Sequence, residues 1–445
     1  MKEKQNRLAD DFHGIKLVAF ALPVMLMMVF QGFYTIVDTI FVSHFVSTDA
    51  LAAINVVTPV INLTVGFGTM LAAGGNAVIA RNMGEGKGRQ AKENFTMIVG
   101  SGLAAGMILA VTVGLRLEEV LILLGAEGRL FDYAGEYLGC LLFFIPAYML
   151  QTIFANLFVT AGHPGLGSGL SIGAGILNII LDYFFIVICD MGIKGAALGT
   201  GIGVGLVMFT GLIFFGVVNI NGILCFCRPH LSVGILAECC LNGSSEMTGQ
   251  LSGAVTTLLF NLSMFRLAGE DGVAAITILN YSQFLFSTIY IGFSMGTAPV
   301  IGYNYGSGNY KRQRRIIRQC LRLTAAASCG IFLLSFFGGH LIVRMFTDEL
   351  ADVYALAADG LKIFAFGFLL SGFNLFISSM FTALSNGKVS AFLSFLRTFV
   401  LLTAAILILP KLFGITGVWL AVPAAELLAC LISMVFLKRQ MKEIR

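Results

Sequence analysis

Leu51–Gly86, LAAINVVTPVINLTVGFGTMLAAGGNAVIARNMGEG, returns 222 residues later as Val273–Gly308, VAAITILNYSQFLFSTIYIGFSMGTAPVIGYNYGSG. The two stretches align without a gap and agree at ten of thirty-six positions. Among these are Ala52/Ala274, Ile54/Ile276, Gly74/Gly296, Asn82/Asn304, Gly84/Gly306 and Gly86/Gly308. The same offset lays Thr160-Ala161 over Thr382-Ala383, Gly165 over Gly387, and Gly192-Ile193-x-Gly195 over Gly414-Ile415-x-Gly417. A chain of 445 residues is therefore close to two copies of one unit. Both copies are strongly apolar, and paired membrane repeats are the usual build of a secondary transporter, with the substrate held between them.

Apolar residues make up 57% of the chain and charged residues 12%, with a mean hydropathy of +0.89. Soluble domains carry about 25% charge, so the chain belongs to the membrane class. The net charge of +4 sits in short loops between apolar runs, which argues against a nucleic-acid partner. The nine cysteines are scattered, most of them in apolar runs, and form no secreted disulfide framework. Cys225-Phe-Cys227-Arg-Pro-His230, with Cys239 and Cys240 beyond it, superficially resembles a metal clip. Its C-x-C spacing suits structural zinc poorly, so an ordinary loop and no metal are expected. No G-x-x-x-x-G-K-[ST] motif occurs, so the chain is not expected to hydrolyse ATP. No nucleophile–base pair stands out either, and an enzyme is not expected. The basic N-terminus precedes an apolar stretch that runs to about Val42, too long for a cleaved signal, so it reads as a retained first span.

Crossing a bilayer takes about 20 apolar residues. Twelve segments qualify: 15–41, 50–80, 94–115, 134–158, 167–189, 195–218, 240–266, 273–301, 317–343, 359–383, 389–410 and 414–437. The expected fold is thus an all-α membrane protein of twelve transmembrane helices in two pseudo-symmetric six-helix lobes. The N-terminal lobe is expected over 1–218, a linker over 219–239 and the C-terminal lobe over 240–445. Basic residues gather at the N-terminus (Lys2, Lys4, Arg7, Lys16), at Arg81, Lys87, Arg89 and Lys92, at Lys311–Arg318, and at Lys438, Arg439, Lys442 and Arg445. Acidic residues gather in the intervening loops: Glu118, Glu119, Glu127 and Asp132, then Glu270 and Asp271, then Asp348, Glu349 and Asp352. The positive-inside rule then makes both termini cytoplasmic. Six is an even number, so the repeats are parallel and related by an axis along the membrane normal.

A carboxylate at mid-span costs about 2.5–3.5 kcal/mol. Asp38 on span 1 and Asp182 on span 5 bear that cost, and both lie toward the outer end of their helices. Gln31, Tyr34 and Asp38 follow the i, i+3, i+7 spacing of one helix face. Asn178 lies one turn before Asp182, Thr200 enters span 6 at similar depth, and Tyr137 opens span 4. Two carboxylates in one low-dielectric pocket cannot both ionise cheaply, so the set is suited to a proton or Na⁺. At the 222-residue offset Asp38 meets Phe260, Asn178 meets Val400, Asp182 meets Ala404 and Thr200 meets Val422. Ion coupling is therefore expected in the N-terminal lobe alone. Met27, Gln31 and Tyr34, with Glu246, Gln250 and Gln283, are candidates for the substrate cavity. Arg397 and Glu426, on spans 11 and 12, are expected to pair or reach the interface. The glycine runs, Gly199-x-Gly201-x-Gly203-x-Gly205 above all, are read as close helix packing.

Pro23 followed by Asp38-Thr-Ile-Phe-Val, Asn82-x-Gly84-x-Gly86, Asn178-x-x-x-Asp182 and Gly195-Ala-Ala-x-x-Thr200 occur in that order. With Gly414-Ile-Thr-Gly-Val-Trp419-Leu-Ala-Val-Pro423, they resemble the multidrug and toxic compound extrusion (MATE) family over the whole chain. The pattern is most similar to its DinF-like and MepA-like bacterial branches. The resemblance implies a V-shaped antiporter of the bacterial cell membrane that expels cationic drugs and dyes against H⁺ or Na⁺. It implies a cation site of Asp38, Asn178, Asp182 and Thr200, with Tyr137 and the Ala196 carbonyl as further members. No cofactor beyond the coupling ion is expected, and the working unit is expected to be a monomer. His163, in Ala-Gly-His163-Pro, departs from the acidic or Asn residue of relatives and inherits no role. The alternatives are a lipid-linked oligosaccharide flippase of the same superfamily, which tends toward fourteen spans and a cationic cavity, and an ion channel on the same pseudo-twofold plan.

Overall fold

A computed structural model describes residues 7–220, 222–346 and 352–443. Lys2, Lys4, Asp348, Glu349 and Arg445, used above to orient the chain, lie outside these residues. Six long helices precede the linker: α1 (Gly14–Phe45), α2 (Thr48–Gly84), α3 (Gly88–Leu115), α4 (Arg129–Thr160), α5 (Pro164–Ile188) and α6 (Gly192–Val218). A short helix, Leu117–Leu123, joins α3 to α4. Val233–Gly306 then runs as 74 helical residues, which at a rise of about 1.5 Å each would stretch to about 110 Å, several bilayers thick. Gly269 divides it: its φ of 63° and ψ of −145° lie outside any helix and turn the chain back. The two parts are α7 (233–268) and α8 (270–306). They are followed by α9 (Tyr310–Arg344), α10 (Asp352–Ala383), α11 (Gly387–Phe413) and α12 (Ile415–Glu443).

Each expected segment falls within one of these twelve helices to within a residue. The helices outrun the segments because helical hydrogen bonding continues past the apolar boundary into polar ends, where composition no longer marks it. One boundary needs correction. Helix α7 starts at Val233, capped by Ser232 Oγ accepting from the Ile235 N–H at 3.4 Å, so residues 233–239 belong to the helix and not to the linker. The remaining connector docks on the N-terminal lobe: the Cys227 N–H donates to Thr96 Oγ1 of α3 at 3.1 Å, and the Phe226 ring lies 5.1 Å from Phe95.

The repeated Asn-x-Gly-x-Gly motif does the same work twice. Asn82 and Asn304 are buried, and Gly86 and Gly308 end α2 and α8 at φ of 76° and 68°. Gly84 packs on the Tyr303 carbonyl and Gly306 on the Arg81 carbonyl, leaving no room for a Cβ. Two more glycines repeat the arrangement a few turns away. Gly74 of α2 sits against the Cys239 carbonyl and Gly243 of α7, while a Cβ on Gly296 of α8 would lie only 2.9 Å from Ala21 of α1. Since 303, 243 and 296 are the repeats of 81, 21 and 74, the contacts obey one pseudo-twofold axis.

All these contacts lie at the end of the molecule that carries the basic loops. There one apolar core runs through both lobes, from Leu17, Ile79 and Phe154 to Ile301, Ile316 and Phe381. At the acidic end the core splits. One cluster (Val42, Val57, Leu138, Ile193) draws only on the N-terminal lobe, and another (Phe260, Leu279, Phe364, Trp419) only on the C-terminal lobe. The lobes are joined at the basic end and separate toward the acidic one.

Candidate cation and substrate site

Asp182 closes the regular part of α5; Tyr183–Ile188 beyond it wind as a π-helical turn. Such turns leave one residue out of register and are common at functional sites. Asp182 is 1% exposed and Asn178, one turn earlier, 2%. Asn178 Nδ2 lies 3.3 Å from Asp182 Oδ1 and 3.3 Å from Thr200 Oγ1 of α6, so one amide ties both helices together. Asp38 of α1 stands close enough to Asp182 for the two carboxyl groups to interact. Two carboxylates can hold that contact only if a proton or a cation joins them.

The network is short of donors. Asp38 Oδ1, Asp182 Oδ2 and Asn178 Oδ1 are all buried with no protein partner. A buried acceptor left unpaired costs about 1–3 kcal/mol, and more when charged. Three of them in one network form a site that calls for a positive guest.

Two glycines make the approach of α5 and α6 possible. A Cβ at Gly199 would strike Asp182 Oδ1, and one at Gly203 would lie 3.1 Å from the Ala174 carbonyl and 3.4 Å from Asn178 Cβ. The glycine run in α6 is thus a packing face, as its spacing suggests, and that face seats the carboxylate. Gly201 points elsewhere, onto Phe144 of α4. Tyr137 is 4% exposed and stands near both carboxylates; Ala196, 1% exposed, lies one turn before Thr200. Tyr34 and Tyr148 share that neighbourhood. Tyr148 was not singled out from sequence, yet it follows Tyr137 by eleven residues, three helical turns, on the same face of α4.

A narrow cleft of about 30 Å³ opens beside the network. Met27, Gln31 and Tyr34 of α1 line one wall, and Asn178, Thr200 and Gln151 stand opposite. Asn178 and Thr200 therefore belong to both the cleft and the carboxylate network. The other cavity candidates separate. Gln283 lines a different cleft, in the C-terminal lobe. Gln250 packs beside Gly66 of α2, between the lobes, and Glu246 lies one turn from it, lining neither cleft.

In the C-terminal lobe the positions equivalent to the carboxylate network are apolar: Phe260 and Val422 are 2% exposed. That lobe nevertheless carries its own buried charges. Arg397 Nη2 and Nε reach Glu426 Oε1 at 2.7 and 2.9 Å, and Asn374 Nδ2 donates to Glu426 Oε2 at 2.6 Å. The two residues expected to pair or to reach the interface are an ion pair.

The MatE family profile matches residues 23–184 and, separately, residues 248–406, one match in each lobe. The chain belongs to the MatE family. It is a multi-pass membrane transporter and not an enzyme. This MatE chain is 24% identical over 441 residues to the multidrug export protein MepA of Staphylococcus saprophyticus, with 98% of the chain and 96% of that protein aligned. It is 26% identical over 440 residues to MepA of Staphylococcus aureus, at the same coverage. Its fold matches an outward-facing multidrug resistance MATE family transporter of the MOP superfamily with a TM-score of 0.93. That likeness covers 100% of this chain and 99% of the other at 21% identity.

Proposed function

We propose that this MatE transporter is a multidrug efflux antiporter, exporting cationic amphipathic small molecules in exchange for H⁺ or Na⁺. The observation that carries the reading is the set of three unpartnered acceptors on Asp38, Asn178 and Asp182, buried in an apolar lobe. A cation entering there neutralises the pair and satisfies the orphaned oxygens. Because Asn178 and Thr200 also line the cleft behind Gln31 and Tyr34, ion and substrate draw on the same side chains. Occupancy by one disfavours the other, and such a difference in binding is what exchange requires. The names of the Staphylococcus relatives support drugs as the cargo.

The basic end is placed in the cytoplasm and the acidic end outside. In this orientation the lobes part toward the outside, and the glycine contacts between α2, α7 and α8 close the cytoplasmic side. One chain contains both lobes and both clefts, so the monomer is taken as the transporting unit. No cofactor is required beyond the coupling ion.

The test is dye efflux from reconstituted vesicles under separately imposed pH and Na⁺ gradients. One of the two gradients should drive efflux by the natural chain. Asp38→Asn and Asp182→Asn should each remove at least about nine-tenths of the driven rate, the loss of a group that acts only in coupling, without loss of protein from the membrane. Undiminished gradient-driven efflux in both variants would refute the assignment.

A further inference from the structure

The C-terminal lobe's cleft, of about 240 Å³, is the repeat-equivalent of the N-terminal one. Six of the twelve residues lining the first cleft recur in the second at the 222-residue offset. Among them are Phe30/Ser252, Tyr34/Thr256, Gly175/Arg397 and Val204/Glu426. The lobes have therefore kept one pocket between the first, fifth and sixth helix of each repeat and changed its chemistry.

The change is a paired exchange of volume. In the N-terminal lobe the Phe30 ring fills the space over Gly175, where a Cβ would lie only 2.7 Å from the ring. In the C-terminal lobe Ser252 leaves that space free and Arg397 occupies it. Arg397 lies in the π-helical turn Leu396–Leu402 of α11, which displaces it from regular helical register. Both of its contacts to Glu426 use one oxygen, Oε1, while Asn374 occupies Oε2. Both Glu426 oxygens are thereby engaged and the residue is 4% exposed, whereas Arg397 lines the cleft with its Nη1 outside the pair.

The other lining groups point to the same chemistry. Ser252, Thr256 and Thr398 each donate their hydroxyl proton to a backbone carbonyl, at 2.9, 2.6 and 2.8 Å. The donors left for a guest are the Arg397 guanidinium, the amides of Asn280 and Gln283, and the hydroxyls of Thr257 and Ser287. A guanidinium held in place by a carboxylate, with two amides nearby, recognises oxygen acceptors, and its planar fork suits a carboxylate or keto-acid. A cation finds no free acceptor charge there.

We propose that this second cleft is a ligand subsite for the keto or carboxylate oxygens of amphoteric substrates, complementing a cation-selective cleft in the first lobe. The inference rests on the reading of the chain as a carrier of organic molecules. Its test, however, is equilibrium binding and needs no ion gradient.

Purified full-length protein in nanodiscs is titrated with two fluorescent probes. Ciprofloxacin carries a keto-acid; ethidium is a permanent cation without acceptor oxygens. Two double variants are compared with the natural chain. Arg397→Gln with Glu426→Gln removes the ion pair at nearly constant volume. Asn280→Leu with Gln283→Leu leaves the pair intact, and so covers the case in which the first does not fold. Each folded variant should bind ciprofloxacin about tenfold more weakly, the loss of one charge-assisted or two neutral hydrogen bonds, with ethidium within about twofold of the natural chain. Equal weakening of both probes, unchanged ciprofloxacin binding, or no ciprofloxacin binding by the natural chain would each overturn the subsite. If gradient-driven efflux fails while this discrimination holds, the antiport reading falls and the subsite stands.

Discussion

Asp182 is held where it is by the absence of a side chain on the facing helix. Gly199 gives it room, and the carboxylate is aimed back along α5 toward Asn178. Gly199→Ala should therefore displace Asp182 and disable gradient-driven efflux, at a stability cost of about 1–3 kcal/mol for overpacking a filled interface. Gly205, on the same helix, has open space around its Cβ position, so Gly205→Ala should leave efflux unchanged. It should even gain up to about 1 kcal/mol from better helix propensity. Thermal unfolding of the two variants in detergent, measured beside their efflux, checks that the shifts have opposite sign. A matching shift would mean that the glycine run serves general packing and not the carboxylate.

Helices α2, α7 and α8 meet at the basic end backbone to backbone, through glycines that repeat about the pseudo-twofold axis. Interfaces of that kind hold without long side chains and separate without extracting them, which suits a contact that must open in each cycle. The ion pair between Arg81 Nη1 of α2 and Glu238 Oε1 of α7, at 2.7 Å, adds a latch across the same seam. It is partly exposed, so its contribution is about 0.2–1 kcal/mol. Cys239, fully buried beneath Gly74, is a built-in reporter of this seam. Gly84→Val should wedge α2 from α8 and expose Cys239 to a water-soluble maleimide. Glu238→Gln should raise the labelling rate by only about two- to fivefold, in line with the weak pair. Labelling of Cys239 in the natural chain as fast as in Gly84→Val would contradict a closed basic end.

The molecule as a whole is two lobes sharing one core at one end and holding separate cores at the other. Rocking about the shared end changes the width of the acidic end most. Leu123 and Met345 are equivalent by repeat, lie at that end in opposite lobes, and are 85% and 82% exposed. Spin labels at these two positions, in a background without the native cysteines, should give a broad distance at rest. A shorter population should appear when substrate is added without the coupling ion. A single distance, insensitive to both ligands, would rule out the rocking motion.

The amino-acid order alone was enough to determine the duplication, the twelve crossings and the two acidic residues that stand out in lipid. The bilayer makes this possible: each crossing needs a continuous apolar run, and a charge within one is conspicuous wherever it folds. Asp38, Asn178, Asp182 and Thr200 could be linked because neighbouring spans at one depth have few ways to miss each other. The second cleft was hidden for the opposite reason. Comparing the halves position by position revealed that the first lobe's polar residues are absent from the second. It did not reveal that a Phe–Gly pair had become a Ser–Arg pair around the same space. Gln250 and Glu246, grouped with the cavity on helix position, separate from Gln283 only once the lobes are docked. Which polar groups are left without partners, and which end is closed, depend on contacts between distant helices. Those contacts are made by backbone carbonyls and glycines, whose close approach leaves no hydrophobic pattern in the chain.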